Sequence, residues 1–211
     1  MHGPISHGVQ KNRRRRSLSA AITKLSQHLE WRRRLDAAAL FGGTEKFVER
    51  LNDQFERAQA KNFSAHGDHD NCWTDYGNEP GFGMAAWFNH AGAPWLSQQW
   101  VCRVHERALS DTTPNGGYAW DDEDEGQMGS LSALMAMGLF ALDGGASVSP
   151  CYELTAPLFD RIVIHLNPKY ARGATFEIIT RHNMPGNVFI QSARVNGVPW
   201  NSFKIPCTVV E

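Results

Sequence analysis

The densest run of carboxylates in this sequence is Asp121-Asp122-Glu123-Asp124-Glu125, which leads directly into Gly126-Gln127-Met128. It lies between a glycine-rich turn, Asn115-Gly116-Gly117, and the start of an apolar helix. Free backbone N–H groups and the helix dipole favour ionised side chains at such a place, and a fixed, ionised carboxylate is what general-base chemistry requires. The plain alternative is a solvated acidic face, and the abrupt junction with an apolar helix argues against it. Of two metal readings of the run, one fails and the other carries little weight. Counted from Asp121 as an EF-hand, the sixth position is Gly126 but the twelfth is Ser132 where glutamate is needed. Asp122-Glu123-Asp124 also has the Asp-x-Asp form of metal-dependent glycosyltransferases, but that triplet follows a strand and the surroundings here are helical.

A second stretch, Gly77-Asn78-Glu79-Pro80, offers a carboxylate, an amide oxygen and flexible backbone carbonyls side by side. These are the hard oxygen donors that calcium prefers. A third, His66-Gly67-Asp68-His69-Asp70-Asn71-Cys72, has the residue types of a transition-metal nest but no second half at matching spacing, and reads as a polar loop.

The composition narrows the partners. Lys and Arg (21) nearly balance Asp and Glu (22) in 211 residues, so no global field draws the chain to nucleic acid or to an anionic membrane. A nucleic-acid reading rests on Arg13 to Arg16 and Arg32 to Arg34 alone; without interleaved aromatics a solvated tail is the better reading. No apolar run has the length of a secretory signal or a membrane span, so nothing in the sequence as written exports or anchors it, and the compartment stays open. Cys72, Cys102, Cys151 and Cys207 stand far apart without a CxxC pair, which argues against structural zinc and leaves buried thiols or one or two disulfides.

The elements that must position these groups fall into two textures. Residues 1–16 have no apolar periodicity and read as a disordered basic arm. From Ser17, Leu18, Ile22, Leu25 and Leu29 recur at helical spacing; a second helix spans Trp31 to Phe41 and stops at Gly42-Gly43. Thr44 is placed to cap a third, striped by Phe47, Val48, Leu51 and Phe55. A long polar loop over 58–81 precedes helices at Met84 to His90 and Pro94 to Leu109. The helix after the acidic run, Gln127 to Leu142, is apolar almost all round and should be buried. Beyond Gly144-Gly145 the pattern turns to strands at 152–154, 161–166, 175–180, 188–195 and 203–210, with Asn196-Gly197 as a hairpin turn. The class is therefore α+β: a helical domain over 17–145 and a β-rich tail over 146–211.

Order and separation of these motifs resemble glycoside hydrolase family 92. The resemblance runs from Phe41-Gly42-Gly43 through Gly77-Asn78-Glu79-Pro80, Asn89-His90-Ala91-Gly92-Ala93-Pro94-Trp95, Asp122 to Met128 and Gly138-Leu139-Phe140. It continues in Pro157-Leu158-Phe159-Asp160, Ile190-Gln191-Ser192-Ala193 and Val195 to Trp200. It implies a calcium-dependent, exo-acting, inverting α-mannosidase acting on an α-1,2-like linkage in an N-glycan or mannan. It also implies a β-sandwich followed by an (α/α)6 barrel, of which this chain would hold the later helices and an antiparallel β-rich tail. Asp124, supported by Asp122, matches the family's catalytic base; Gly77, Asn78 and Glu79 match its calcium-binding stretch.

The sequence also departs from the family. The general acid's Glu-Gly-Asn-x-Trp-Gln-Tyr-like motif is not found, and Glu30-Trp31 is only a superficial candidate. Gly81-Phe82-Gly83 stands where a His-His pair is common after Asn-Glu-Pro, and Gly129-Ser130-Leu131 replaces Ser-Ala-Trp. The alternative to an enzyme is thus a non-catalytic carbohydrate- or calcium-binding remnant. Part of a barrel would expose the Leu131 to Phe140 surface to water, so self-association or a missing N-terminal half is expected.

Overall fold

The computed structural model describes residues 38–64, 73–111, 113, 126–142 and 144–210. The basic arm, the helix from Ser17, most of the helix from Trp31, the His66 to Cys72 cluster and the acidic run with Asp122 and Asp124 lie outside them.

Helix α1, Thr44–Gln59, follows Gly42 and Gly43, whose φ values of 84° and 113° end the preceding helical turn. Thr44 is not its cap: Gly43 occupies that position, no side chain caps the helix, and the Gly43 carbonyl accepts the Phe47 N–H at 3.0 Å. Phe47, Leu51, Gln54, Phe55 and Ala58 form the buried face, as their three- and four-residue spacing dictates. The opposite face carries the Asp53–Arg57 ion pair at 2.8 Å, worth only a few tenths of a kcal/mol. Packing therefore holds this helix. Phe55, fully buried, has the rings of Trp100, Phe88, Phe63 and Tyr76 at 5.2, 5.6, 6.2 and 6.2 Å between centroids. Past the helix Asn62 and Phe63 take positive φ (53° and 55°), at a cost of about 1 kcal/mol or more each. The turn delivers the Phe63 ring into the core, which offsets that strain.

A broken helical run follows: 3-10 turns at Glu79–Gly81 and Met84–Ala86, then α2, Trp87–His90. Helix α3, Pro94–Val104, begins with proline at its first position, where a missing N–H costs nothing, and ends in a π turn, His105–Leu109. Here Ser132 Oγ donates to the Leu109 carbonyl at 2.9 Å and lies 3.3 Å from His105 Nε2. A hydroxyl has one hydrogen, so Nε2–H must be the donor in the second contact. Burial holds the His105 imidazole below its ordinary 6.5. The unfolded chain then binds a proton that the folded chain does not, and stability falls as pH drops from above 6.5 toward the folded value. Melting midpoints between pH 7.5 and 5 should fall less in His105→Gln than in the parent; equal slopes would remove His105 as a source of acid sensitivity.

Helix α4, Gln127–Met137, explains its near-continuous apolarity by position. Met128, Leu131 and Met135 join the aromatic core around Phe55, while Leu134 and Met137 pack on a second core of Leu139, Ile205 and Val210. The expected exposed surface from Leu131 to Phe140 is thus largely covered: Leu131, Met135 and Leu139 are buried. The helix stops five residues before Leu142. Gly138 takes φ 71°, and a Cβ there would lie 2.4 Å from the Thr155 carbonyl oxygen, so the chain turns and Leu139–Phe140 become strand β1.

The tail is antiparallel throughout. Strand β2, Cys151–Leu154, lies between β1 and β7, Lys204–Pro206, with Phe140 and Lys204 opposite Glu153. Strands β3, Arg161–His165, and β4, Thr175–Ile179, pair as a ribbon; β5, Ala193–Val195, and β6, Val198–Trp200, pair across Asn196-Gly197. Both turn residues have positive φ (49° and 80°), as a two-residue hairpin of this twist requires. Two expected strands are shorter than their sequence patterns. The Ile190 N–H is taken by Gln98 Oε1 at 2.7 Å, so 188–192 forms no ladder. Pro206 has no N–H to extend β7, and Cys207–Val210 coils into the short helix α5. Cys102, Cys151 and Cys207 are thiols, with no disulfide among them. The observed class is α+β, and no helix among the described residues is long and apolar enough to cross a membrane.

Candidate functional site

The Gly77 to Glu79 segment is built on a chain of local hydrogen bonds. Asp75 Oδ1 accepts the Gly77 N–H at 3.0 Å, which turns the backbone at the segment's start. Asn78 is extended (φ −139°, ψ 139°), and its carbonyl accepts the Gly81 N–H at 3.0 Å, closing the 3-10 turn that starts at Glu79. Upstream, Tyr76 is a fixed post. Its N–H donates to the Phe63 carbonyl at 2.8 Å and its hydroxyl oxygen accepts the Ala85 N–H at 3.1 Å. Complete burial pushes the phenol far above its ordinary 10.0, so this hydroxyl stays protonated and structural.

Gly81, where the resemblance leads one to expect a His-His pair, has no room for a side chain: a Cβ there would fall 1.7 Å from the Asp75 carbonyl oxygen. At Gly83 the nearest atom to a built Cβ is the Leu142 Cδ1 tip at 2.6 Å, which can rotate away.

The donor set fits a hard cation. Among the described residues the Gly77 carbonyl, the Asn78 side-chain amide and the Glu79 carboxylate have no hydrogen-bond or ion-pair partner, and all three sit on one turn. Gly77 is buried and Asn78 and Glu79 half-buried, and oxygens so placed without a partner among the described residues are what an oxygen-seeking ion would complete. They supply one carboxylate only, and no cluster of three or more His, Cys, Asp or Glu exists among the described residues. Asp122 and Asp124, lying outside those residues, have no geometry to set beside this turn. The acidic run does lead into α4 as expected, through Gly126 at φ 84°.

One group escapes sequence reasoning. Glu153 is 3% exposed, with Asn89 Nδ2 donating to Oε2 and His90 Nε2 at Oε1, both at 2.6 Å. Alternation in Tyr152-Glu153-Leu154 points a glutamate outward; the fold points it inward, and the nearby Asn89-His90 pair is the only signal that could have suggested it. Glu153 borders a small cavity with Phe82, Ala85, Ser97, Val101 and Leu139, with room for about one water and none for a sugar.

The sequence profile described as the Glycosyl hydrolase family 92 catalytic domain matches residues 34–210. The chain belongs to glycosyl hydrolase family 92. Solved structures agree at the level of fold. A family GH92 α-mannosidase from Bacteroides thetaiotaomicron is 21% identical with a TM-score of 0.64, over 79% of this chain and 20% of that one. The same enzyme in complex with mannoimidazole gives 21% and 0.64, over 79% of this chain and 21% of its own. The family 92 chain described here thus spans about a fifth of the length of those enzymes. No curated protein sequence matches it.

Proposed function

We propose that this family 92 chain carries the water-activating and calcium-binding side of an exo-acting, inverting α-mannosidase site for α-1,2-like linkages in N-glycans or mannans. The observation that carries the reading is the turn at Gly77-Asn78-Glu79, where the Gly77 carbonyl and the Asn78 and Glu79 side-chain oxygens have no partner among the described residues, within a family 92 match over residues 34–210. In this reading the helices are the later part of an (α/α)6 barrel, residues 17–145 and 146–211 are its helical and β-rich parts, and a mannose-containing glycan is the partner.

Inversion uses one carboxyl group to protonate the leaving oxygen and a carboxylate across the sugar to activate water, the two about 6.5–9.5 Å apart. Asp124 is the base in this proposal and Asp122 supports it. Gly77, Asn78 and Glu79 would hold the calcium, which when bound supplies Lewis-acid and template chemistry toward sugar hydroxyls. The family's general-acid motif does not occur in these 211 residues, so the proposal assigns no acid here.

The reading makes a graded prediction. Loss of general-acid catalysis forfeits roughly 10²–10⁴-fold on substrates with poor leaving groups and little on those that need no protonation. The purified 211-residue chain should release mannose from α-mannosyl fluoride in a calcium-dependent manner, and Asp124→Asn should abolish that release. α-1,2-Mannobiose should turn over far more slowly. Calcium binding without turnover of the fluoride would instead support the second reading, a non-catalytic remnant, which the absent general-acid motif and the Gly81-Phe82 departure favour.

A further inference from the structure

We propose that Glu153, on β2, is a positioning residue for the Gly77 to Glu79 oxygens and acts through Asn89 and His90; its link to calcium rests on the reading above. Burying a carboxylate costs several kcal/mol unless its oxygens are well bonded, and an apolar side chain would fill a space beside Ala85, Val101 and Leu139 more simply. Glu153 spends both oxygens on the last two residues of α2, at 2.6 Å each. The dependence runs one way for Asn89. Its Oδ1 is buried without a hydrogen-bond partner, so Nδ2 to Glu153 is the bond that orients the amide.

The segment from Tyr76 to His90 is then held at two places. At its start Tyr76 is fixed to Phe63 and to Ala85. At its end α2 is fixed to β2. From Glu79 to α2 the chain is helical except at Phe82 and Gly83, so a shift of α2 along its axis is passed to the Glu79–Gly81 turn with little to absorb it. Helix ends this short have too little internal hydrogen bonding to stay in place unaided. The clamp also joins two parts of the chain 63 and 64 residues apart, so the tail sheet sets the geometry of the candidate ion site.

Hydrogen exchange of the full chain, without and with calcium, tests this in Glu153→Leu and Glu153→Gln. Glu153→Leu should speed exchange at Gly81, Phe82, Ala85 and Ala86 by at least about tenfold while α1 amides stay as in the parent. Glu153→Gln, which keeps an oxygen for Asn89, should restore part of the protection. Calcium affinity, read by titration calorimetry, should fall about fivefold or more in Glu153→Leu and recover partly in Glu153→Gln. His90→Phe removes one bond at the margin of the core and should loosen the same amides should Glu153→Leu fail to fold. Unchanged exchange over 77–82 would overturn the proposal whatever calcium does. Faster exchange in a protein whose parent form binds no calcium would keep the clamp and refute the calcium reading.

Discussion

Phe55→Ala should lower the unfolding free energy by about 3–5 kcal/mol, a large share of a domain's total stability of order 5–15 kcal/mol. The size follows from the site. Phe55 is fully buried, four aromatic rings lie within 6.2 Å of its centroid, and those rings belong to the turn after α1, the residue before Gly77, α2 and α3. Large rigid rings cannot collapse into the space of a lost benzyl group, so the cavity remains and the dispersion contacts are forfeited. Urea denaturation of the parent and of Phe55→Leu and Phe55→Ala would measure the loss. A Phe55→Ala penalty under about 1.5 kcal/mol would mean that the aromatic cluster is not the centre of the fold.

Gly81→Ala should disrupt the candidate site more than any other single methyl group. The new Cβ would meet the Asp75 carbonyl oxygen at 1.7 Å, and backbone on both sides must move for it to fit. Asp75 turns the chain into Gly77, and Gly81 closes the turn that carries Asn78 and Glu79, so the displacement falls on the proposed donors themselves. A destabilisation of about 3 kcal/mol, at the upper end for overpacking, is expected. Calcium affinity should drop at least about tenfold, equivalent to about 1.4 kcal/mol. Gly83→Ala is the matched control, because it pushes only the flexible tip of Leu142. Similar calcium affinity in Gly81→Ala and Gly83→Ala would count against a site at Gly77 to Glu79.

The sequence displays what local periodicity and turn chemistry control. The Phe47, Leu51, Phe55 stripe reads as α1, Pro94 as a helix start, and Asn196-Gly197 as a hairpin, because each is decided by neighbours a few residues away. What depends on distant partners is illegible. The break at Gly138 is enforced by a carbonyl at Thr155, and the 188–192 segment loses its strand to a glutamine on α3. Glu153 faces inward because Asn89 and His90 await it, which alternation along one strand cannot reveal. At the candidate site, residue types identify Gly77, Asn78 and Glu79 as oxygen donors. That the Gly77 carbonyl and the two side chains have no partner among the described residues emerges only in three dimensions. Asp122 and Asp124 rest on the motif itself and on the helix that follows it.

The placement of α4 between two cores also sets how substitutions will be tolerated along the chain. In α1 a broad arc that includes Glu45, Lys46, Glu49, Arg50, Glu56 and Arg57 faces water, and a saturation library should accept many residue types there. In α4 the water-facing strip narrows to Gln127, Ser130 and Ala133. Charged residues introduced at Met128, Leu131, Leu134, Met135 or Met137 would enter one core or the other, so a fitness map should be permissive in a wide band over α1 and in a narrow line over α4.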